Sequence, residues 1–255
     1  MRAALVRSHA SVMALAVLLG GTNALPSQAR WTVEPKTSLA WWQVDPHYNH
    51  LWATTCPADH SWQPGEGRDA GQYVDYKTRP VLRDNGGHET RIPLFPRLQV
   101  NSVCREAVSG TILIEDTLHW KGVRGEVTLN PDSLFSGLAF RDNFARSMVL
   151  NTEQYPRIRF MIDSLVDVQP GPGDTLHATA VGSFALHGVT TPMRATIQAW
   201  RDPAGFRVRG AFDFDAQDLT RKYDMSRVAL GLGVVMHRWK RIYTGVDVIL
   251  RPAGG

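Results

Sequence analysis

Cysteine is scarce in this chain: Cys56 and Cys104 are the only two in 255 residues. That scarcity rules out a disulfide-dense miniature scaffold, and the absence of C-x-x-C-H rules out covalent haem attachment. A phosphate-cradling G-x-x-x-x-G-K and a G-x-S-x-G nucleophile elbow are also missing. Nor do a Ser, a His and an Asp stand where a strand pattern would bring them together. A large excess of one charge is lacking too: 28 Lys and Arg stand against 24 Asp and Glu, a formal charge of +4. Arg2 and Arg7 contribute half of that excess and lie in the first few residues, so the rest of the chain is close to neutral and carries no nucleic-acid footprint. Beyond the first thirty residues no run reaches the roughly 18 apolar residues of a membrane-spanning helix.

The beginning reads as an export signal. Arg2 and Arg7 precede the apolar run Val12 to Leu19, which is too short to span a bilayer, and small residues at Ser27 and Ala29 follow. This order is that of a secretory signal peptide over residues 1–29, with cleavage near Ala29 and Ala24 as the other candidate. The expected location is therefore periplasmic or secreted. In an oxidising compartment Cys56 and Cys104 read as one disulfide, closing a loop of roughly 48 residues and contributing up to about 4 kcal/mol on the chain-entropy model.

What the chain does contain is alternation. Val123, Gly125, Val127 and Leu129 alternate with polar residues, as do Ile158, Phe160 and Ile162. Leu176, Ala178, Ala180, Gly182, Phe184 and Leu186 share one face of a long strand; Met193, Ala195, Ile197 and Ala199 share the next. Phe206, Val208, Gly210, Phe212 and Phe214 form another, and Ile242, Thr244, Val246, Val248 and Leu250 the last. Gly171-Pro172-Gly173-Asp174 and Asp202-Pro203-Ala204-Gly205 are turns between them. Period two in strand after strand, joined by Pro/Gly turns, is the antiparallel pattern. Trp31 to Val44 supplies opening strands. From about residue 53 to 105 prolines and glycines interrupt the pattern, which predicts a long loop insertion with at most one hairpin. Between Leu138 and Leu150, Phe140, Phe144 and Met148 recur at spacing four, which predicts one short amphipathic helix with Asp142 at its N-cap.

The apolar faces mix large rings (Phe160, Phe184, Phe206, Phe212, Phe214) with very small residues (Ala178, Ala180, Gly182, Ala195, Gly210). Two arrangements satisfy this mixture. Large and small side chains interdigitate to fill a solid core, or about eight strands close on a tube in which small residues leave room for one ligand.

Three stretches resemble the YceI-like family. Arg141-Asp142, Arg146-Ser147, Leu150-Asn151, Tyr155-Pro156, Ile158 and Phe160 resemble its helix and following strand. Gly182-Ser183-Phe184-Ala185-Leu186-His187-Gly188-Val189-Thr190-Thr191-Pro192 resembles its G-x-L-T-L-H/N-G-V-T-K-P hairpin. Trp31-Thr32-Val33-Glu34-Pro35 with Ser38 is similar to its first strand. The insertion between the cysteines departs from the family, and Gln217-Asp218-Leu219 is a weak echo of its K-x-D-F-G-I lead into the last strand. The resemblance implies a mainly β fold, an extended antiparallel lipocalin-like barrel over residues 30–252, and an exported, non-enzymatic protein holding a polyisoprenoid chain with no further cofactor. Dimers occur among relatives, so a homodimer is an outcome the resemblance admits.

On this reading Phe160, Ile162, Phe184, Leu186, Ile197, Phe212 and Phe214 contact an apolar lipid, with no catalytic and no metal residue. Pro156 and Pro192 suit strand starts, Gly188 an unusual turn angle, Tyr155 a seal at the barrel end, and His187 a hydrogen-bonding turn position. The competing reading is a secreted interaction or metal-binding module that uses the 47–105 insertion, the barrel being its scaffold. Its ligand types are His47, His50, Cys56 and His60, at spacings zinc sites use.

Overall fold

The computed structural model describes residues 29–45, 52–55, 81–83, 89–91, 105–135, 139–171, 173–226, 230 and 239–254. The strands are β1 (Ala29–Val33), β2 (Leu39–Asp45), β3 (Trp52–Thr54), β4 (Val81–Arg83), β5 (Glu89–Arg91), β6 (Val108–Ile114), β7 (Arg124–Leu129), β8 (Ile158–Pro170), β9 (Leu176–Leu186), β10 (Val189–Asp202), β11 (Gly205–Asp215) and β12 (Arg241–Pro252). From β6 to β12 each strand pairs antiparallel with the next, and β1 pairs with both β6 and β12, so the sheet closes as an eight-stranded antiparallel barrel.

The first strand position is split. Glu34 accepts a bond from the backbone of Lys36 through its side chain, and a 3-10 turn at Pro35–Thr37 breaks the strand. β1 then lies along Leu250–Pro252 and β2 along Arg241–Asp247 of the same β12. β3 adds to β2, placing Trp52–Thr54 in the wall rather than in a loop, and Thr54 bridges to Phe135. β4 and β5 form a separate two-stranded hairpin. The signal-peptide reading, except for Ala29, and Cys56 and Cys104 lie outside the described residues, as do His47, His50 and His60.

The hairpins follow from turn chemistry. β9 and β10 are joined by His187-Gly188 alone, with φ of +50° and +78°. Two left-handed residues make the type I′ turn whose twist matches the strands. Pro192 is not at a strand start but inside β10, opposite Ser183. Pro156 does precede its strand, two residues before β8 begins.

The helix of residues 139–149 differs from the sequence expectation in its orientation. α1 (Ala139–Phe144) continues into a π turn over Ala145–Val149, where the Leu150 N–H reaches back to Ala145 at 2.7 Å. Phe140, Phe144 and Met148 are 85%, 38% and 57% exposed. The side that faces the barrel mixes polar and apolar residues: Val149 and Leu150 pack on the core beside Asp142 and Arg146. Asp142 is buried inside α1 and does not cap it, and Arg146 donates to the carbonyls of Asp132 (2.9 Å) and Leu134 (3.1 Å) and to Asn143. Charge-assisted bonds from one arginine to two rim carbonyls tie the helix down beside the packing of Val149 and Leu150.

The core divides along the barrel axis. At one end Phe206 receives the edges of Trp31 and Trp120 at 4.7 and 4.8 Å. At the other, Phe184, Phe212, Phe214 and Tyr223 pack against Leu219, Met225 and Leu230, which follow β11 through the short α2 (Asp218–Arg221).

Candidate ligand-binding lumen

Side chains alternate along a strand, so the wall strands send every second residue inward, and on β8 a register shift after Ile162 changes the phase so that Leu165 lines the lumen. On β11 and β12 the inward residues include Val208, Gly210, Phe212, Val246 and Val248. Their convergence leaves two cavities on the barrel axis. A central one of about 110 Å³ lies between Trp120 and Phe184. A second, of about 250 Å³, lies beneath the helix and the Leu219–Leu230 segment, with Trp41, Trp42 and Trp239 in its wall. Together they fall at the lower end of the roughly 300–1,000 Å³ typical of small-molecule sites.

The structure brings all seven sequence-selected residues to this lumen. Phe160, Ile162, Ile197 and Phe212 line the central cavity, Leu186 and Phe214 the second, and Phe184 both. Leu129, Ile158 and Thr244 are shared as well, so these residues and Phe184 form the waist between the cavities. The Thr244 hydroxyl donates to the Trp41 carbonyl at 3.0 Å, so it is already satisfied within the wall. Small residues make the space: a methyl at Gly210 would stand 3.0 Å from the Ile197 side chain. Polar groups gather at the helix end, where Arg141, Asp142 and Arg146 border the second cavity.

Sequence reasoning missed Trp41, Trp42, Val44, Leu219, Met225 and Trp239 in that wall. The two tryptophans had a strand signal, but the residues after β11 follow no period and come into place only through tertiary packing. Trp120 and Val123, at the opposite end, were also missed as lining residues.

The hairpin motif braces the helix end. His187 Nδ1 donates to the Tyr223 carbonyl at 3.0 Å, and its ring lies 4.2 Å from that of Tyr155. A methyl at Gly188 would come within 2.7 Å of the Tyr155 ring. The Tyr223 and Thr191 hydroxyls are 2.7 Å apart. Burial pushes the Tyr223 phenol above its ordinary value near 10, with the Thr191 bond opposing. Outside the barrel, Asp247 accepts two bonds from Arg207 (2.7 and 2.9 Å) and one from Arg209 (2.8 Å), a three-residue clamp across β11 and β12. The bond to Asp247 holds the Arg207 guanidinium above its usual value. Among the described residues no three His, Cys, Asp or Glu side chains are grouped to hold a metal.

Comparison with solved structures finds chains similar to this one. The crystal structure of Burkholderia cenocepacia BcnA superposes with a TM-score of 0.51 at 7% identity, covering 85% of this chain and 98% of that one. A polyisoprenoid binding domain from Saccharophagus degradans, implicated in plant cell wall breakdown, gives 0.44 at 12% identity, with 88% and 97% covered. The YCEI protein of Campylobacter jejuni gives 0.42 at 13% identity, with 68% and 97% covered. No curated protein sequence matches. The family model described as YceI-like domain matches residues 98–239, which is more than half of the sequence, and the chain therefore belongs to the YceI-like family.

Proposed function

We propose that this protein is an exported lipid carrier that holds one polyisoprenoid-like chain along the axis of its barrel. The observation that carries the reading is the lumen. Two cavities in line, walled mainly by apolar side chains with Arg159 at the first and Arg141, Asp142 and Arg146 at the second, meet at a waist whose one hydroxyl is already bonded. Such a space binds hydrocarbon and rejects water. Each methylene transferred into it contributes about 0.8 kcal/mol before ordering costs, so a chain needs no specific polar contact to be retained. A branched isoprenoid suits a wall that alternates rings with alanine and glycine better than a rigid planar ligand does. A continuous chain crosses the waist if Phe184 turns aside. The residues expected to touch it are Phe160, Ile162, Phe184, Leu186, Ile197, Phe212 and Phe214, with Arg141 at the helix end nearest any polar head. The reading is one of binding and not catalysis, and periplasmic or secreted location follows from the sequence of residues 1–29.

Organic extraction of the purified protein followed by mass spectrometry tests this. Recovery of about one apolar chain per barrel supports it. Protein that yields no lipid and takes up none from added isoprenols refutes it.

A further inference from the structure

The far end of the lumen, away from the helix, is closed by side chains of a buried cluster that includes Trp31, Ile114, Trp120, Val123 and Phe206. Trp120, Val123 and Leu165 line the central cavity on their inner side and a surface cleft of about 960 Å³ on their outer side. That cleft is of a different character. Lys121, Arg124 and Arg201 border it together with Asp163, Asp174 and His119. The indole of Trp120 is the largest part of the partition, and it is held edge-on to Phe206.

Trp120 also has an unusual backbone. Its φ is +53°, a region that costs any residue with a Cβ. The turn between β6 and β7 holds it there. Asp116 accepts from the backbone N–H groups of Leu118 (2.9 Å) and His119 (3.0 Å) and from His119 Nδ1 (2.7 Å). The Lys121 N–H donates to the Asp116 carbonyl, and those of Glu115 and Asp116 donate to the Lys121 carbonyl. A turn closed at both ends, with a left-handed residue inside it, folds the indole back into the barrel.

We propose that Trp120 is the stop that sets how long a chain the lumen accepts, with Asp116 as its positioning residue. A chain entering at the helix end runs through the second cavity, past Phe184, and meets the indole. A longer chain would have to emerge into the cleft, and with Trp120 in place it has no path. The inference rests on the lipid-binding reading and adds to it a determinant of chain length.

The test loads the purified protein with a graded series of straight-chain primary alcohols and reads the longest member retained, by mass spectrometry. The wild type should show a sharp upper limit. Trp120→Ala should move that limit up by several carbons, and Trp120→Phe should leave it close to the wild type. Asp116→Ala, which keeps the indole but frees the turn, should blur the limit, and it stands in for Trp120→Ala if that variant does not fold by circular dichroism. Short alcohols retained by every variant with an identical limit would overturn the stop alone. Retention of no alcohol at any length would overturn the lipid-binding reading beneath it.

Discussion

Replacing Ala195 by leucine separates a hollow barrel from a solid one. Ala195 is buried on β10 opposite Ala180 and lines the central cavity of about 110 Å³. Leucine adds three carbons at this point. If the space is a filled core, overpacking destabilises by about 1–3 kcal/mol. If it is an unoccupied part of a ligand tube, the added carbons fill a void, and the lipid-free protein keeps its stability or gains up to about 2 kcal/mol. The same carbons displace ligand. Three methylene equivalents at about 0.8 kcal/mol each remove about 2.4 kcal/mol of binding, close to fiftyfold in Kd. Urea unfolding of delipidated protein gives the first quantity, and displacement of a fluorescent apolar probe gives the second. In a hollow barrel the stability of the lipid-free protein holds or rises while its affinity falls. An Ala195→Leu variant that is less stable by about 1–3 kcal/mol and binds the probe as well as the wild type would refute it.

Three further outcomes are expected. The Arg105 N–H donates to the Thr55 carbonyl at 3.0 Å, so the chain neighbours of Cys104 and Cys56 are joined; thiol titration of protein made under oxidising conditions should find no free cysteine, and reduction should lower the thermal midpoint. Gly188→Ala forces a side chain into a φ of +78° against the Tyr155 ring and should cost about 1–3 kcal/mol in urea unfolding. For Tyr223, the folded phenol ionises at a higher pH than the unfolded one, so the neutral form is favoured by folding: its contribution is complete below about pH 10 and is lost as the pH rises through the folded pKa. Tyr223→Phe should lose about 1 kcal/mol at neutral pH with the Thr191 bond and show a shallower fall of stability above about pH 10; an unchanged alkaline limb would contradict the assignment.

The wall of the barrel was legible because period two is imposed by the backbone itself. Wherever Phe160, Phe184, Ile197 or Phe212 stood in an alternating run, the face shared by the run turned inward. The helix shows where pattern reading stops. Phe140, Phe144 and Met148 fall at amphipathic spacing, yet Phe140 and Met148 face water and Phe144 is only half-buried at the edge of the second cavity. On its other side Asp142 is buried and Arg146, four residues on, is bonded to the barrel rim. Periodicity reports that a helix has two faces; it does not report which face the rest of the protein will hold. The deciding partners, the carbonyls of Asp132 and Leu134, have no side-chain signature at all.

The two ends of the lumen were illegible for a related reason. Leu219, Met225 and Trp239 at one end and Trp120 at the other sit outside regular strands, so no period marks them. Trp120 is placed by a carboxylate–backbone turn and a left-handed φ, and Tyr223 by a bond to Thr191 on β10. A closed sheet makes a tube from nearly any sequence that alternates, but what the tube admits depends on the irregular residues that cap it. In this barrel the strands supply an apolar interior by repetition, and individually positioned rings such as Trp120 and Trp239 border its two ends. Variation in ligand among barrels with this wall is therefore expected to concentrate at positions such as 120 and 239, and to leave the alternating strand faces largely alone.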